Sequence, residues 1–340
     1  MRVLQSVRQP TRTTNPYVVQ LAGAVAAAGV EVRFFSWGRG LLGRWDVLHV
    51  HWPEVLVRRA GRLARAAARA RFALLLARLS LLRTPVVRTV HNADPHEAGG
   101  RLERVLLRWC DRRTAYWVLL NPHTPLPRPG PSRVIPHGSY VDWYAGHPAG
   151  PPVPGRMLTF GLLRPYKRID SLLAAFAGIA DPDVALRIVG RPTTAELRST
   201  VVTAAAADRR LTAELDHVED ATLAAEMGAA QLVVLPQRDL HNSGALLLAL
   251  SLSRPVLVPA TATTADLAAE VGPGWVHTYD GELTAETLAK ALTATREPPA
   301  TPPDLSRREW AGIGRQHAEV YRAAARAACG SRRRARPGCG

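Results

Sequence analysis

The sequence predicts an α/β protein made of two doubly wound, Rossmann-like domains, each built on a parallel sheet. Short β-rich runs alternate with helix-length segments from "RVLQSV" to "AYWVLL", a pattern typical of βα units around a parallel sheet. The alternation stops in the Pro- and Gly-rich stretch "AGHPAGPPVPGR" and resumes at "RMLTF". A chain of 340 residues is long enough for both halves to bury a core.

These observations predict an N-terminal domain over residues 1–145, a linker over 146–156 and a C-terminal domain over 157–300. A last helical segment, 301–328, is followed by no strand, so we expect it to pack back on the N-terminal domain. The basic tail, 329–340, is expected to be disordered. Ligands of doubly wound folds bind at the carboxyl ends of the strands, and with two domains we expect a central cleft that both face.

The composition favours a reduced, cytoplasmic protein. Cys110, Cys329 and Cys339 are odd in number and lack the paired spacing of a zinc site. The N-terminus has no apolar signal-peptide core, and no window reaches about 18 uninterrupted apolar residues. The net charge of +16 attracts phosphates, anionic lipids or nucleic acid without naming one of them.

The stretch "FGLLRPYKRID" predicts a phosphate-binding loop after the first strand of the C-terminal domain. Gly161 makes the turn, and Asp170 or Ser171 is expected to cap the helix that follows. Arg164 and Lys167 then lie on the loop, where a guanidinium and an ammonium suit a diphosphate. Only two residues are lysines, so 42 of the 44 basic residues are arginine and a lysine here is unusual. The alternative is a solvated basic loop.

A second phosphate-binding position is predicted where "QRDLHNSGALLLAL" enters an apolar helix. Asn242 is the expected cap, and Ser243 and Gly244 leave first-turn amides open to an anion. An ordinary capped helix is the alternative.

These segments, with "LRIVGRP" between them and "DVLHVHWPE", "PVVRTVHN", "LLNPHT" and "SRVIPHGSYVDWY" before them, resemble the GT-B glycosyltransferases of family four, the group 1 type. The resemblance spans the chain up to the helix that contains Trp310. It implies a GT-B fold and transfer of a hexose-type sugar from a nucleoside diphosphate sugar to a hydroxyl acceptor, which is a glycan, a lipid-linked glycan or a natural product. It implies no essential metal or other cofactor.

The resemblance also assigns residues. The donor would bind in the C-terminal domain and the acceptor in the N-terminal domain. The implied catalytic residues are His91, Arg164 and Lys167. The implied donor-binding residues are Gly161, Arg164, Lys167, Arg191, Asp239, His241, Asn242, Ser243 and Gly244.

The sequence departs from this family at one pattern. The family carries two glutamates with seven residues between them, and His241 and Ala249 occupy those positions here. Asp239 or His241 would replace the first carboxylate. The departure leaves open the sugar, the way the ribose is held and whether the anomeric configuration is retained.

Several alternatives remain at this level. The chain could be a sugar-nucleotide epimerase of the same fold or a non-catalytic polyanion binder, although nothing indicates a specific nucleic acid. His49, His51, His91 and His96 could suggest a metal, for which a buried or acceptor-side role is the alternative. The segment 55–83 reads as a long surface helix packed on the sheet, or as a helix lying on an anionic membrane at its inner face.

Overall fold

The computed structural model describes residues 1–11, 14–91, 100–147, 150–237 and 242–334. The chain forms two compact units, Met1–Gly138 with Arg307–Gly340, and Ser139–Ser306. In the described ranges, no helix is long and apolar enough to cross a bilayer.

The first unit is a parallel sheet with helices between its strands. Its described strands are β1 (Arg2–Gln5), β2 (Glu31–Phe34), β3 (Val47–Val50), β4 (Val86–Val90), β5 (Thr114–Leu119) and β6 (Ser132–Val134). They pair in the order β2-β1-β3-β4-β5-β6. Its helices are α1 (Pro16–Ala27), α2 (Trp37–Leu42), α3 (Glu54–Val57), α4 (Arg62–Leu81) and α5 (Arg101–Arg113), with the last helix of the chain, α13 (Trp310–Arg334).

The second unit has the same architecture. Its described strands are β7 (Arg156–Phe160), β8 (Ala185–Val189), β9 (Leu211–Glu214), β10 (Leu232–Val234), β11 (Val256–Pro259) and β12 (Val276–Tyr279), in the parallel order β12-β11-β10-β7-β8-β9. Its helices are α6 (Val141–Tyr144), α7 (Ile169–Ala177), α8 (Ala195–Ala207), α9 (Asp220–Ala229), α10 (Gly244–Ser251), α11 (Ala262–Val271) and α12 (Ala285–Ala294). The prediction of two doubly wound α/β domains is confirmed.

The contacts place the boundary between the units at Gly138, whereas the sequence suggested Ala145. Tyr140 and Tyr144 are buried in the core of the second unit. The Tyr144 hydroxyl donates to Asp220 over 3.1 Å, and the Tyr140 amide donates to Ser251 Oγ over 2.9 Å. Aromatic burial therefore draws α6 into the second unit, although it precedes the Pro- and Gly-rich stretch.

The predicted long helix over 55–83 is divided in two. Residues 58–61 separate α3 from α4, and Gly61 there has a φ of +81°, which only glycine adopts readily. Phe72, Leu75 and Leu79 form the buried face of α4, in one apolar cluster with residues of β1, β3 and β4. The apolar stripe of the segment therefore packs on the first sheet.

The C-terminal helix α13 packs on α1 within the first unit. Trp310, Ile313 and Tyr321 share one buried cluster with Tyr17 and Leu21 of α1. The backbones come close, because a Cβ built on Gly314 would lie 2.2 Å from the Ala24 carbonyl oxygen. Glycine is required here for steric reasons.

Gly314→Ala is therefore expected to lower the free energy of unfolding by about 1–3 kcal/mol, the usual cost of overpacking. The sign of this change in the free energy of unfolding is informative, since alanine normally stabilises a helix interior by about 0.5–1 kcal/mol relative to glycine. Gly312→Ala is the matched control, because the nearest atom to its new Cβ is Arg315 Nη2 at 4.0 Å. Urea denaturation of both variants makes the measurement, and equal stabilisation of both would contradict the close approach.

Candidate active site

Two glycines join the carboxyl ends of β7 and β8. Gly161 follows β7 with a φ of +92°, and its amide donates to the Val189 carbonyl over 2.8 Å. Gly190 follows β8 with a φ of +133°, and a Cβ there would lie 2.0 Å from the Gly161 carbonyl oxygen. Neither position accepts a side chain, so the two loops begin in direct backbone contact.

The two loops then run side by side. The Leu163 amide donates to the Arg191 carbonyl over 3.0 Å, and the Thr193 amide donates to the Leu163 carbonyl over 2.9 Å. Arg164 and Arg191 thus follow neighbouring strand ends, as the sequence predicted. Within the described ranges, neither guanidinium has a hydrogen bond or an acidic partner. Both are available to an anion.

Lys167 is buried rather than solvated. Lys167 is the last residue of a single turn of 3₁₀-helix over Pro165–Lys167, and it is 9% exposed. Nζ donates to the Phe160 carbonyl over 3.1 Å. Burial, and then the nearby charge of Arg164, lower the pKa of the ammonium to about 8. A solvated basic loop does not explain a buried lysine beside an unpaired arginine.

The predicted cap at Asp170 or Ser171 is wrong. The helix α7 begins at Ile169, and the preceding Arg168 has a φ of 54°. Arg168 donates to Glu282 over 2.6 Å and to Ser171 Oγ over 2.9 Å. Its charge is therefore already satisfied, which distinguishes it from Arg164.

At the second predicted phosphate position, the cap is Ser243 and not Asn242. Ser243 Oγ accepts from the Leu246 amide over 3.2 Å, and α10 begins at Gly244. The amides of Gly244 and Ala245 have no acceptor among the residues the structure describes. Two adjacent open amides at the positive end of a helix suit an anion. Asp239 and His241 lie outside the described residues.

Gln237 is a candidate that the sequence analysis missed. It lies shortly after β10, which ends at Val234, is 5% exposed, and its Oε1 accepts no hydrogen bond in the described part of the chain. A buried amide oxygen without a donor is costly unless a ligand supplies one. Its position after a central strand was the available signal.

His91 lies directly after β4 in the first unit and is partly exposed. Its ring stacks on Trp52 with centroids 4.1 Å apart, and its Nε2 lies 3.1 Å from His51 Nδ1. Burial and the neighbouring His51 lower its pKa well below the usual value, so the imidazole is neutral at neutral pH. His49 and His51 are also buried and have lowered pKa values. His96 lies outside the described residues.

The described residues contain no group of three His, Cys, Asp or Glu side chains that could hold a metal.

The chain resembles known proteins along nearly its whole length. Over 320 residues it is 50% identical to a GDP-mannose:glycolipid 4-beta-D-mannosyltransferase of Xanthomonas campestris pv. campestris, covering 94% of this chain and 91% of that protein. Residues 154–294 match the family described as Glycosyl transferases group 1. The chain belongs to the group 1 glycosyltransferases.

Solved structures agree on the fold of this glycosyltransferase. Anabaena HepE in complex with UDP and glucose superposes with a TM-score of 0.64 at 15% identity, covering 95% of this chain and 100% of that one. The catalytic domain of starch synthase IV from Arabidopsis thaliana has a TM-score of 0.63 at 8% identity, covering 96% and 99%. The predicted GT-B fold and family are confirmed.

The protein is therefore an enzyme that transfers a sugar from a nucleotide sugar, as the resemblance implied. This activity excludes the two alternatives, a sugar-nucleotide epimerase and a non-catalytic polyanion binder.

Proposed function

We propose that this glycosyltransferase transfers mannose from GDP-mannose to a hydroxyl of a glycolipid and forms a β-linkage. The observation that carries the proposal is the 50% identity over 91% of a relative whose name states this donor, acceptor and linkage. Identity of this extent covers both the donor-binding and the acceptor-binding unit.

The donor diphosphate is held in the second unit. Arg164 and Arg191 grip phosphate oxygens, and Lys167 neutralises the charge that grows on the leaving GDP. The open amides of Gly244 and Ala245 take the distal phosphate, while Asp239 or His241 takes the place of the first missing glutamate toward the sugar or ribose. Fixed positive groups at the leaving phosphate act by electrostatic catalysis, and with them no divalent metal is essential.

A chelator tests this part of the proposal. Activity that survives EDTA supports it, and activity that is lost with EDTA and restored by added Mg²⁺ or Mn²⁺ refutes it.

The linkage defines the chemistry at the acceptor. Mannose is α-linked in GDP-mannose, so a β-mannoside requires inversion in one displacement. The acceptor hydroxyl then needs a base on the face opposite the leaving GDP. We assign this role to His91, whose imidazole is kept neutral by burial and is therefore in the form that acts as a base. The hydroxyl proton passes to His91, the new C1–O bond forms, and the C1–O bond to phosphate breaks.

Nucleotide preference and product linkage test the proposed function. In a thermal-shift series with GDP, UDP, ADP and TDP, the tightest ligand raises the melting temperature most, and GDP is expected to rank first. With GDP-mannose and a glycolipid acceptor, a β-mannosyl product is expected from the one-bond C1–H1 coupling in NMR. A preference for UDP, or an α-linked product, would refute the proposal.

A lipid-linked acceptor places the enzyme at a membrane surface. We propose that α4 makes this contact, because Leu63, Leu74 and Leu81 are exposed on it among arginines. Leu63→Ser with Leu74→Ser is expected to lower co-sedimentation with phosphatidylglycerol vesicles several-fold. Val202→Ser, at an exposed valine of the second unit, is the control and should bind vesicles like the parent. Equal binding by all three proteins would contradict a contact through α4.

Binding of GDP-mannose by the free enzyme is expected to weaken as pH rises above about 8. The ammonium form of Lys167 binds the diphosphate, and above its pKa the free enzyme loses that proton. The value of kcat/KM for GDP-mannose should therefore fall about tenfold per pH unit in the alkaline limit. Because the bound diphosphate favours the ammonium, kcat should fall less. Profiles from pH 6 to 10 make the measurement, and a flat kcat/KM up to pH 10 would contradict the assignment.

A further inference from the structure

Two buried glutamines lie at opposite ends of β10 in the second unit. Gln231 comes just before the strand and is 8% exposed, and Gln237 comes shortly after it and is 5% exposed. The Gln231 amide is bonded at both ends. Its Oε1 accepts from the Gly155 amide over 2.7 Å, and its Nε2 donates to the Leu292 carbonyl over 2.7 Å and to Thr295 Oγ1 over 3.1 Å.

The Gln237 amide differs from that of Gln231 in its partners. Its Oε1 is buried and accepts no hydrogen bond from any residue that the structure describes. Taking an amide oxygen out of water without giving it a donor costs free energy, and native proteins rarely leave such a group unpaired. The unpaired oxygen therefore does not stabilise the free enzyme, and it suits a ligand that brings its own donor.

Gln237 lies on the side of the sheet that α10 covers. Leu235 continues the pairing of β10, because its amide donates to the Leu257 carbonyl over 3.0 Å. Leu235 also shares one buried cluster with Leu246 of α10. Side chains two residues apart on an extended backbone point to the same face, so alternation places Gln237 on the face of Leu235. The open amides at the start of α10 belong to this side of the sheet.

The order of the strands relates Gln237 to the parts of the donor. The strands β10, β7 and β8 are neighbours in that order. Arg164 and Lys167 follow β7, and Arg191 follows β8. In the proposed function, the distal phosphate, which carries the mannose, binds the amides of α10, the helix that follows β10. The mannose then lies toward β10 and the guanosine toward β8, so Gln237 is on the mannose side of the diphosphate.

We propose that Gln237 is a specificity-determining residue whose side-chain amide hydrogen-bonds a hydroxyl of the donor mannose. An amide oxygen only accepts, and an ionised phosphate has no proton to donate, whereas every hydroxyl of mannose can donate. A hydroxyl also accepts, so it can bond whichever atom of the amide faces it. The inference rests on the proposed function, which places the distal phosphate at α10. A sugar that lacks this hydroxyl is rejected, because it leaves the buried amide unpaired.

Gln237→Met tests the contact, because methionine keeps the unbranched shape and removes both polar atoms of the amide. Calorimetry is expected to show affinity for GDP-mannose about 10-fold below that of the parent and unchanged affinity for GDP. Equal weakening for both ligands would assign the contact to the ribose or the phosphates and overturn the inference. Unchanged affinity for both ligands would also overturn it.

The melting temperature of the free variant distinguishes a ligand-binding role from a structural one. Gln237→Met removes an unpaired buried oxygen, so we expect the melting temperature to equal or exceed that of the parent. Gln231→Met is the matched control, a buried glutamine of the same strand whose amide is bonded at both ends. It should melt at a lower temperature and keep the parental ratio of GDP-mannose to GDP affinity. A lower melting temperature in Gln237→Met, or the same selective loss of GDP-mannose affinity in both variants, would overturn the inference.

Deoxygenated donors identify the hydroxyl. The parent is expected to bind one of the GDP-mannose analogues deoxygenated at C2, C3, C4 or C6 about 10-fold more weakly than GDP-mannose, and Gln237→Met should bind that analogue and GDP-mannose equally. A parent that binds GDP-mannose but does not distinguish the four analogues overturns this inference alone. A parent that prefers another nucleotide refutes the proposed function and this inference with it.

Discussion

Lys167→Ala is expected to lower kcat by roughly 10²–10³-fold, the loss typical of removing one electrostatic group at a developing negative charge. Lys167 Nζ lies in a buried position against the Phe160 carbonyl, where its charge is screened less than on the surface. The effect should appear in kcat as well as in KM, because the leaving GDP carries more charge in the transition state than in bound GDP-mannose. Steady-state kinetics with GDP-mannose make the measurement.

Lys167→Arg separates charge from shape. Nζ is a compact ammonium that donates to the Phe160 carbonyl in a buried position, and a larger planar guanidinium does not reproduce that placement. We expect arginine to restore little of the activity, and any activity that remains should lose the decline above about pH 8. Lys290→Ala, at the other lysine of the chain, is the control and should behave like the parent. Parental activity in both Lys167 variants would end the proposed role.

His91→Gln is expected to lower kcat by roughly 10²–10⁴-fold, the contribution of a general base. The glutamine amide keeps a polar side chain of similar length beside His51, but it offers no basic nitrogen to the acceptor hydroxyl. Affinity for GDP should stay near the parental value, since its binding groups lie in the second unit. A stopped assay with the glycolipid acceptor, beside calorimetric binding of GDP, makes the measurement.

His277→Gln is the control for His91. This histidine of β12 lies in the second unit, where its Nε2 bonds the Gly274 carbonyl, and it has no proposed role. Its substitution should leave kcat near the parental value. A similar loss in both histidine variants, or parental turnover in His91→Gln, would argue against His91 as the base.

The architecture and the position of the donor loop follow from the amino-acid sequence alone. Alternation of β-rich and helical segments is local, so it survives in a single sequence and predicts two parallel α/β units. Gly161, Arg164 and Lys167 were found in the same way, because they follow a recognisable strand within a few residues. The resemblance added the family, which the comparisons confirmed.

Other features depend on tertiary contacts: the burial of Lys167 and its lowered pKa, the cap at Ser243 and the boundary at Gly138. Each depends on which atoms of other elements surround a residue, and spacing along the chain does not encode that. The hydrogen bonds that connect His91 through His51, Gln5 and Tyr321 to His49 are the clearest case. These residues come from β1, β3, α13 and the ends of β3 and β4, with Gln5 and Tyr321 lying 316 positions apart. No local pattern specifies such a network, because its partners meet only when the chain has folded.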